Sequence, residues 1–395
     1  MKIYADNAAT TAMSKTAVEA MMPYINDCYY NPSSLYSCGQ AARDAIEAAR
    51  ETIARCIGAS EREIVFTSGG SEADNQAIIS AANIGKKNGK MHIISDNIEH
   101  HAVLHTLKKL EKEGFAVTYI PVKENGIIST NDIENAFRSD TCLVTVMYAN
   151  NEIGTLQPIK EIGDICKRHG VIFHTDAVQA VGRMPIDVKA QNINMLSASA
   201  HKFHGPKGVG FLYAQKGIKL SSIIEGGAQE RGFRAGTENV AGIVSMAAAL
   251  EEEISLMDTN AKKLIKLRDR LIAGLSEIPH CALNGDKQNR LPSNVNFCFE
   301  GIEGESLLLL LDDKGIMASS GSACTSGSLD PSHVLLAIGR PHDVAHGSLR
   351  LSIGEDTTEE QVDYIIKSVK ETVEHLRRFS PVWRDLSAGK AEFIL

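Results

Sequence analysis

Between about residues 60 and 215, short apolar runs alternate with longer amphipathic ones. Ile64-Val-Phe-Thr67, His92-Ile-Ile-Ser95, Ala116-Val-Thr-Tyr-Ile120, Cys142-Leu-Val-Thr-Val-Met147 and Val171-Ile-Phe-His174 read as strands. They are too short for helices, and their continuous apolar character suits a parallel sheet covered on both faces. The stretches between them predict helices over Ser71–Lys87, Ala102–Lys112, Thr130–Phe137 and Ile159–Arg168, with Ser71 as N-cap of the first and Asp74 in its first turn. Such alternation predicts an α/β fold with a large, doubly wound domain and a mainly parallel sheet. In that architecture ligands bind beyond the carboxyl ends of the strands. Thr67-Ser-Gly-Gly, Asn150-Asn-Glu and Asp176 all fall there.

The pattern changes after about residue 238. A helical stretch runs to about Glu277, with a break expected near Asp258-Thr-Asn260. Beyond it, Asn294–Cys298 and Ser348–Ser352 read as strands, and Glu305–Asp312 and Thr358–Arg377 as helices, which predicts a smaller α+β domain. The expected division is residues 16–260 for the large domain, and residues 1–15 with 261–395 for the small one. The segment after Ser380 has no strong pattern and reads as a mobile tail or one that docks on a partner.

Composition narrows the function classes. The 395 residues carry a net charge of -8, against the basic surface that nucleic-acid binding wants. No stretch of about 18 apolar residues spans a membrane. The start, Met1-Lys-Ile-Tyr-Ala-Asp, lacks a signal pattern, so the expected location is cytoplasmic. The eight cysteines form no Cys-x-x-Cys pair, which argues against a zinc knuckle or a thioredoxin-type motif. Cys142 and Cys166 fit buried apolar positions. Cys324 does not: Ala318-Ser-Ser-Gly-Ser-Ala-Cys-Thr-Ser-Gly-Ser-Leu-Asp330 is small and polar, and an exposed thiol in such a loop is a liability unless it reacts.

The densest chemistry lies in Ser197-Ala-Ser-Ala-His-Lys-Phe-His-Gly-Pro-Lys-Gly208. A lysine in a water-poor pocket loses its charge and becomes a nucleophile for Schiff-base chemistry. Pyridoxal phosphate uses such a lysine together with a carboxylate at its pyridinium nitrogen. Lys202 and Asp176 suit those roles; a surface lysine and a helix cap are the plainer readings. Ser68-Gly-Gly-Ser-Glu72 offers a helix N-terminus to an anion, although it lacks P-loop spacing. Ser199 and His201 stand ready to add phosphate donors. The flat ring of His100, in Glu99-His100-His101, suits stacking or proton transfer. The guanidinium of Arg350 suits a carboxylate, or a common surface ion pair.

Taken in order, these segments resemble the cysteine desulfurases of the NifS/IscS type, which are fold-type-I pyridoxal phosphate enzymes. The likeness runs through Tyr4-Ala-Asp-Asn-Ala-Ala-Thr-Thr11, Asn31-Pro-Ser-Ser34, Phe66–Asn75, Glu99-His100, Asn150–Gly154, His174–Gln179, Ser199–Lys202, Arg234–Asn239, Ser320–Cys324 and Ser348-Leu-Arg350. The resemblance implies pyridoxal 5'-phosphate as cofactor, held by Lys202, which also moves protons. It implies Asp176 at the ring nitrogen, Gln179 at the phenolic oxygen, His100 over the ring and Asn151 beside it. Gly70, Ser71, Ser199 and His201 would hold the phosphate, with Thr237 reaching the other subunit's phosphate in a homodimer. Arg350 and Asn7 would hold the substrate carboxylate. Cys324 would take sulfur from L-cysteine as a persulfide, leaving L-alanine, and pass it to an iron–sulfur scaffold protein or a tRNA-thiolation acceptor. No resident metal is expected; a nascent cluster would meet Cys324 only through its persulfide.

Departures from the family pattern are few. Ser71 stands where threonine is frequent, and Tyr36 and Cys38 lie where a histidine is common. The C-terminal segment does not match a scaffold-docking tail. Two competing readings are a selenocysteine lyase or aminotransferase, and an interaction protein that has kept the fold without turnover. Cys324 separates the first from a desulfurase, because transamination needs no thiol.

Overall fold

The computed structural model describes residues 2–320 and 331–395; Cys324 lies outside the described residues. Twelve strands are described: β1 (Ile3–Tyr4), β2 (Ile64–Thr67), β3 (His92–Asp96), β4 (Ala116–Ile120), β5 (Thr141–Thr145), β6 (Ile172–Asp176), β7 (Met195–Ser199), β8 (Gly210–Ala214), β9 (Cys281–Leu283), β10 (Asn294–Phe299), β11 (Ile316–Met317) and β12 (Ser348–Ser352).

Seven of them form the central sheet in the order β2-β8-β7-β6-β5-β3-β4. The pairs from β7 to β4 are parallel, and β8 lies antiparallel between β2 and β7. The expected strands are thus present, within a residue or two at their ends. β7 and β8 add two beyond those expected; Met195-Leu-Ser-Ala-Ser199 is half small and polar and so does not read as an apolar run. Strands β3 and β5 to β8 are almost wholly buried, as a sheet covered by helices on both faces requires. On one face pack Ile46, Ile53, Phe173, Phe203, Phe211 and Leu250. On the other pack Ala77, Ile78, Ala81, Val103, Leu107 and Leu212.

A second core joins Leu264, Leu271, Val295, Phe297, Leu307, Ile316, Leu349 and Val369 with Ile3 and Ala5 from the chain start. Its sheet runs β12-β10-β9, antiparallel throughout, and β1 pairs with β11 in parallel. The Val240–Leu275 helix links the two cores without the expected break. Buried Leu250 and Glu253 lie on one side of Asp258-Thr-Asn260 and buried Leu264 and Leu267 on the other. Packing at both ends therefore outweighs the weak local propensity of the polar stretch.

The C-terminal segment differs from expectation too. A helix, Pro381–Ser387, follows Ser380, and the last residues fold back on their own chain. Ile394 and Leu395 donate backbone N–H groups to the Glu300 carboxylate at 2.9 and 3.1 Å. Phe393 stacks on His280 at 3.6 Å, and the Arg377 guanidinium lies 3.9 Å above Trp383. Among the described residues, no helix is long and apolar enough to cross a membrane.

Candidate active site

A cavity of about 620 Å³ opens at the carboxyl ends of β5, β6 and β7, a volume ordinary for a small-molecule site. Lys202, Asp176, Gln179, Asn151, Gly70, Ser71, Ser199, His201, His100 and Arg350 all line it.

Each is placed by the element it ends or begins. β6 finishes in Asp176, whose Oδ1 accepts the Val178 N–H at 2.9 Å. Burial raises its pKa, while His100 and Lys202 pull the other way. β7 finishes in Ser199, and a single 3-10 turn, Ala200–Lys202, carries the lysine into the cavity. The Lys202 amine donates to the carbonyls of Ala8 at 2.6 Å and Ala9 at 2.8 Å. Gln179 Nε2 donates to the same Ala8 carbonyl at 3.0 Å.

The Gly70–Lys87 helix starts at the cavity wall. Gly69, at φ 153°, caps it without a side chain, so Ser71 is inside the helix and not its cap. A Cβ on Gly70 would lie 2.5 Å from Val178 Cγ2, so only glycine lets the helix start come this close to the turn after β6. The first N–H groups of this helix are the natural place for an anion. His201 Nδ1 pairs with Thr10 Oγ1 at 3.1 Å, and burial, with Lys202 and Lys207 nearby, pushes its pKa down to about 4. His100 caps the next helix, His101–Lys112. Its Nδ1 accepts the Ala102 N–H at 3.1 Å, which leaves the ring proton on Nε2.

Arg350 crosses from β12 and is buried at 3% exposure. Nη2 donates to Asp6 Oδ1 at 2.8 Å and Nη1 to the Asn151 carbonyl at 3.0 Å. Its Nε has no hydrogen-bond partner among the described residues.

Three expected residues stand apart. Asn7 turns away, donating to the Ser352 carbonyl at 2.9 Å, and lines a neighbouring cleft instead. Thr237 is exposed and does not line the cavity. Cys324 lies outside the described residues, but both flanks of its segment are fixed beside the cavity. Ser319 pairs with Arg350 through two backbone hydrogen bonds, and Ser348 Oγ donates to the Ser320 carbonyl at 2.9 Å. Downstream, the Ser332 hydroxyl donates to Glu152, and His333 Nε2 meets the Glu99 carbonyl at 3.1 Å.

Asp74 was legible in the sequence only as a helix-start residue, yet it lines the cavity floor. An oxygen of Asp74, one of Asp176 and a ring nitrogen of His100 lie within 4.8 Å of one another. Burial, then the Asp176 charge, pushes the Asp74 carboxyl well up. Glu99 behaves likewise, and Asp96 rises to about 7. His174, between Thr145 and Ser197, is buried and held neutral with a pKa of about 3. Around Asp176 the structure thus collects buried carboxyls whose protonated form is favoured, and a histidine held neutral.

These features fit a flat aromatic cation that bears a phosphate and an aldehyde. The amine and the carboxylate share one cavity with a helix N-terminus and its glycine approach. Asp74 Oδ1 is buried on the cavity floor with no hydrogen-bond partner among the described residues, and His174 Nε2 lies 3.6 Å from it.

Comparison with known proteins gives the same picture. The sequence profile described as aminotransferase class-V matches residues 3–365. The cysteine desulfurase IscS of Clostridium botulinum (strain Hall) is 54% identical over 394 residues, 99% of each chain. That of Methanosarcina thermophila is 55% identical over 380 residues, 96% of this chain and 94% of the relative. Among solved structures, a NifS-like protein superposes with a TM-score of 0.90 at 38% identity, covering 95% of this chain and all of that one. DndA from Streptomyces lividans gives 0.76 at 33% identity, covering 87% of this chain and 97% of that one.

Proposed function

The chain belongs to the class-V aminotransferase family and, within it, to the cysteine desulfurases; from that premise we infer that it converts L-cysteine to L-alanine with pyridoxal 5'-phosphate, supplying sulfur for iron–sulfur cluster assembly. The observation that carries the reading is the convergence of Lys202, Asp176, the Gly70 helix start and Arg350 on one cavity. When bound, the cofactor supplies a cationic conjugated ring that takes up the electron pair released at the substrate carbons.

The protein's own groups do the rest. Arg350, held rigid by Asp6 and Asn151, fixes the substrate carboxylate. Asp176 keeps the ring nitrogen protonated, and Gln179 and Asn151 set the ring's other edge. Gly70, Ser71, Ser199 and His201 hold the phosphate. The Lys202 amine takes the proton from substrate Cα and returns it. His100 carries its proton on Nε2 and covers the ring. The Cys324 thiolate attacks the substrate sulfur: an S–S bond forms, the Cβ–S bond breaks, and the electron pair stays on Cβ, where a proton completes alanine. The persulfide then passes to a scaffold protein or another sulfur acceptor.

A homodimer completes the reading, with Thr237 reaching the partner's phosphate. In support, the chain exposes Met22, Ile25, Tyr29, Leu35 and Tyr36 on one N-terminal stretch, an apolar surface of the kind that copies cover. Light scattering at the mass of two chains is the expected result; a monomer overturns this part.

The deciding experiment is a cysteine-dependent assay for alanine and persulfide, with and without a scaffold protein. Cys324→Ala should abolish both products. Alanine formed at the unchanged rate by that variant would mean that sulfur leaves Cβ without the Cys324 thiol, and would sink the desulfurase reading.

A further inference from the structure

A group of charged side chains lies just beyond Lys202, and the reaction described above uses none of them. His204 adopts a left-handed backbone conformation, φ 62°. Its ring Nε2 is 2.9 Å from Glu355 Oε2, and its Nδ1 is 2.9 Å from the Ala12 carbonyl. Both partners are acceptors. A peptide carbonyl has no proton to give, and Glu355 is an anion engaged by Arg183 on its other oxygen, Nη1 to Oε1 at 2.6 Å. A neutral imidazole has one N–H and satisfies one acceptor; only the imidazolium satisfies both.

Arg183 extends the group toward the catalytic lysine. Its Nη2 donates to the backbone carbonyl of Lys202 itself at 3.3 Å. Glu355 lies three residues beyond the end of β12, the strand that carries Arg350. One carboxylate therefore ties together the turn that presents the amine and the strand that presents the guanidinium.

We propose that Glu355 is a positioning residue for the reaction, holding His204 as an imidazolium and Arg183 as a bracket so that Lys202 and Arg350 keep a fixed separation. The proposal rests on the roles given above to those two residues.

The surroundings favour the charged ring. Burial works against the His204 charge, but the bond to Glu355 and the charges of Glu355 and Glu253 outweigh both it and Arg183, raising the pKa. Burial also works against the Glu355 charge, but His204 and Arg183 hold the carboxyl far below the usual range. Glu253, on the Val240–Leu275 helix, is itself raised by burial. The Lys263 ammonium donates to the Glu355 backbone carbonyl, and Glu252 is engaged by Thr16 at 2.6 Å. Lys2, Lys15 and Asp356 line the cleft outside.

The sign of the pH dependence follows. A histidine with a raised folded-state pKa stabilises fully below its unfolded value of about 6.5, and the contribution is lost as pH rises through the folded value. Above that pH one ring nitrogen presents a lone pair to an acceptor and the clamp loosens.

Two measurements on the holoenzyme test this. In protein carrying 13C-labelled histidine, the His204 signal is assigned by its disappearance in His204→Gln. It should titrate above 6.5, and Glu355→Gln should lower the midpoint by about one unit or more. A midpoint at or below 6.5, or one unmoved in Glu355→Gln, overturns the proposal. In steady-state turnover, the KM for cysteine should rise about threefold or more as pH passes that midpoint, the scale of one lost hydrogen bond. In Glu355→Gln it should be raised already at pH 6.5 and show no such step. A wild-type KM without a step at the midpoint overturns the positioning role, whatever the ring does. Absence of turnover in every form, with the titration as expected, would count against the desulfurase reading and not against the His204–Glu355 pair.

Discussion

Lys202 and Asp176 owe their chemistry to where their strands stop. Each stands at or just past the end of a buried strand, where the apolar run gives way to polar residues. Lys202→Ala should lower kcat by at least about 100-fold, the ordinary scale for losing a positioned acid–base group, and should change the visible absorbance of the purified protein. Asp176→Asn keeps the shape but not the charge. It should lower kcat/KM for cysteine by a similar factor, about 100-fold, while the protein still binds the cofactor. Steady-state kinetics with an absorbance spectrum checks both. Asp176 was legible in the sequence because an isolated charge after an apolar strand is unusual, and Lys202 because it stands among small residues, two histidines and a glycine turn. Ala8 and Ala9 were not legible: their contribution is a pair of backbone carbonyls, and a carbonyl leaves no mark on residue type. Asp74 was hidden for another reason, since an acid in a first helical turn is explained by the helix dipole alone.

At the scale of elements, the site depends on contacts between pieces far apart in sequence. A Cβ on Gly210, in β8, would lie 2.4 Å from the Ala198 carbonyl and 2.8 Å from Gly69 Cα. Gly210→Ala should therefore cost about 1–3 kcal/mol of stability and weaken cofactor affinity by pushing the phosphate turn, read out by denaturant titration and cofactor release. Glu230 closes another junction. It accepts both terminal nitrogens of Arg50, at 2.7 and 2.8 Å, and the Phe66 N–H at 2.9 Å, and both side chains are buried. Removing Glu230 leaves the buried Arg50 guanidinium with the half-exposed Glu47 carboxylate, 3.2 Å from its Nε, as its only counter-charge among the described residues. Glu230→Ala should cost about 3–5 kcal/mol, seen as a lower unfolding midpoint. Most strands and helices were legible from apolar period; β7 was not, since its small residues pack a two-sided strand without looking apolar, and β8, Gly210-Phe-Leu-Tyr-Ala214, is apolar but lies outside the expected strands. The unbroken long helix shows the opposite failure, with polar Asp258 and Thr259 exposed and Asn260 half-buried between two packed stretches.

For the whole molecule, the buried acids set an acid-side bias. Burial raises Asp96 to about 7 and Glu152 to about 7, and pushes Asp74 and Glu99 well up. An acid whose folded pKa is raised stays protonated in the fold while the unfolded chain ionises. Stability from such groups is thus greatest below the unfolded pKa near 4 and falls as pH rises toward the folded value. Asp96→Asn, neutral at every pH, should flatten the decline in stability between about pH 4 and pH 7; urea midpoints across that range measure it, and an unchanged slope would rule out Asp96 as a source. None of this was legible in the chain, because Asp96 and Glu99 read as polar punctuation after a strand until the fold closes over them.

The position of β8 in the sheet bears on how the protein comes into being. Ile64 pairs with Tyr213 and Thr67 with Gly210, so β2 and the glycine turn after it find their neighbour only when most of the large sheet's chain exists. Pairings this distant in sequence form slowly, since loop closure must come before they return any stability. During synthesis the phosphate turn would wait, half-framed, until the antiparallel strand slides in between β2 and β7. Capture of the cofactor would then be a late event, and holoprotein formation a report that this last long-range pairing is complete.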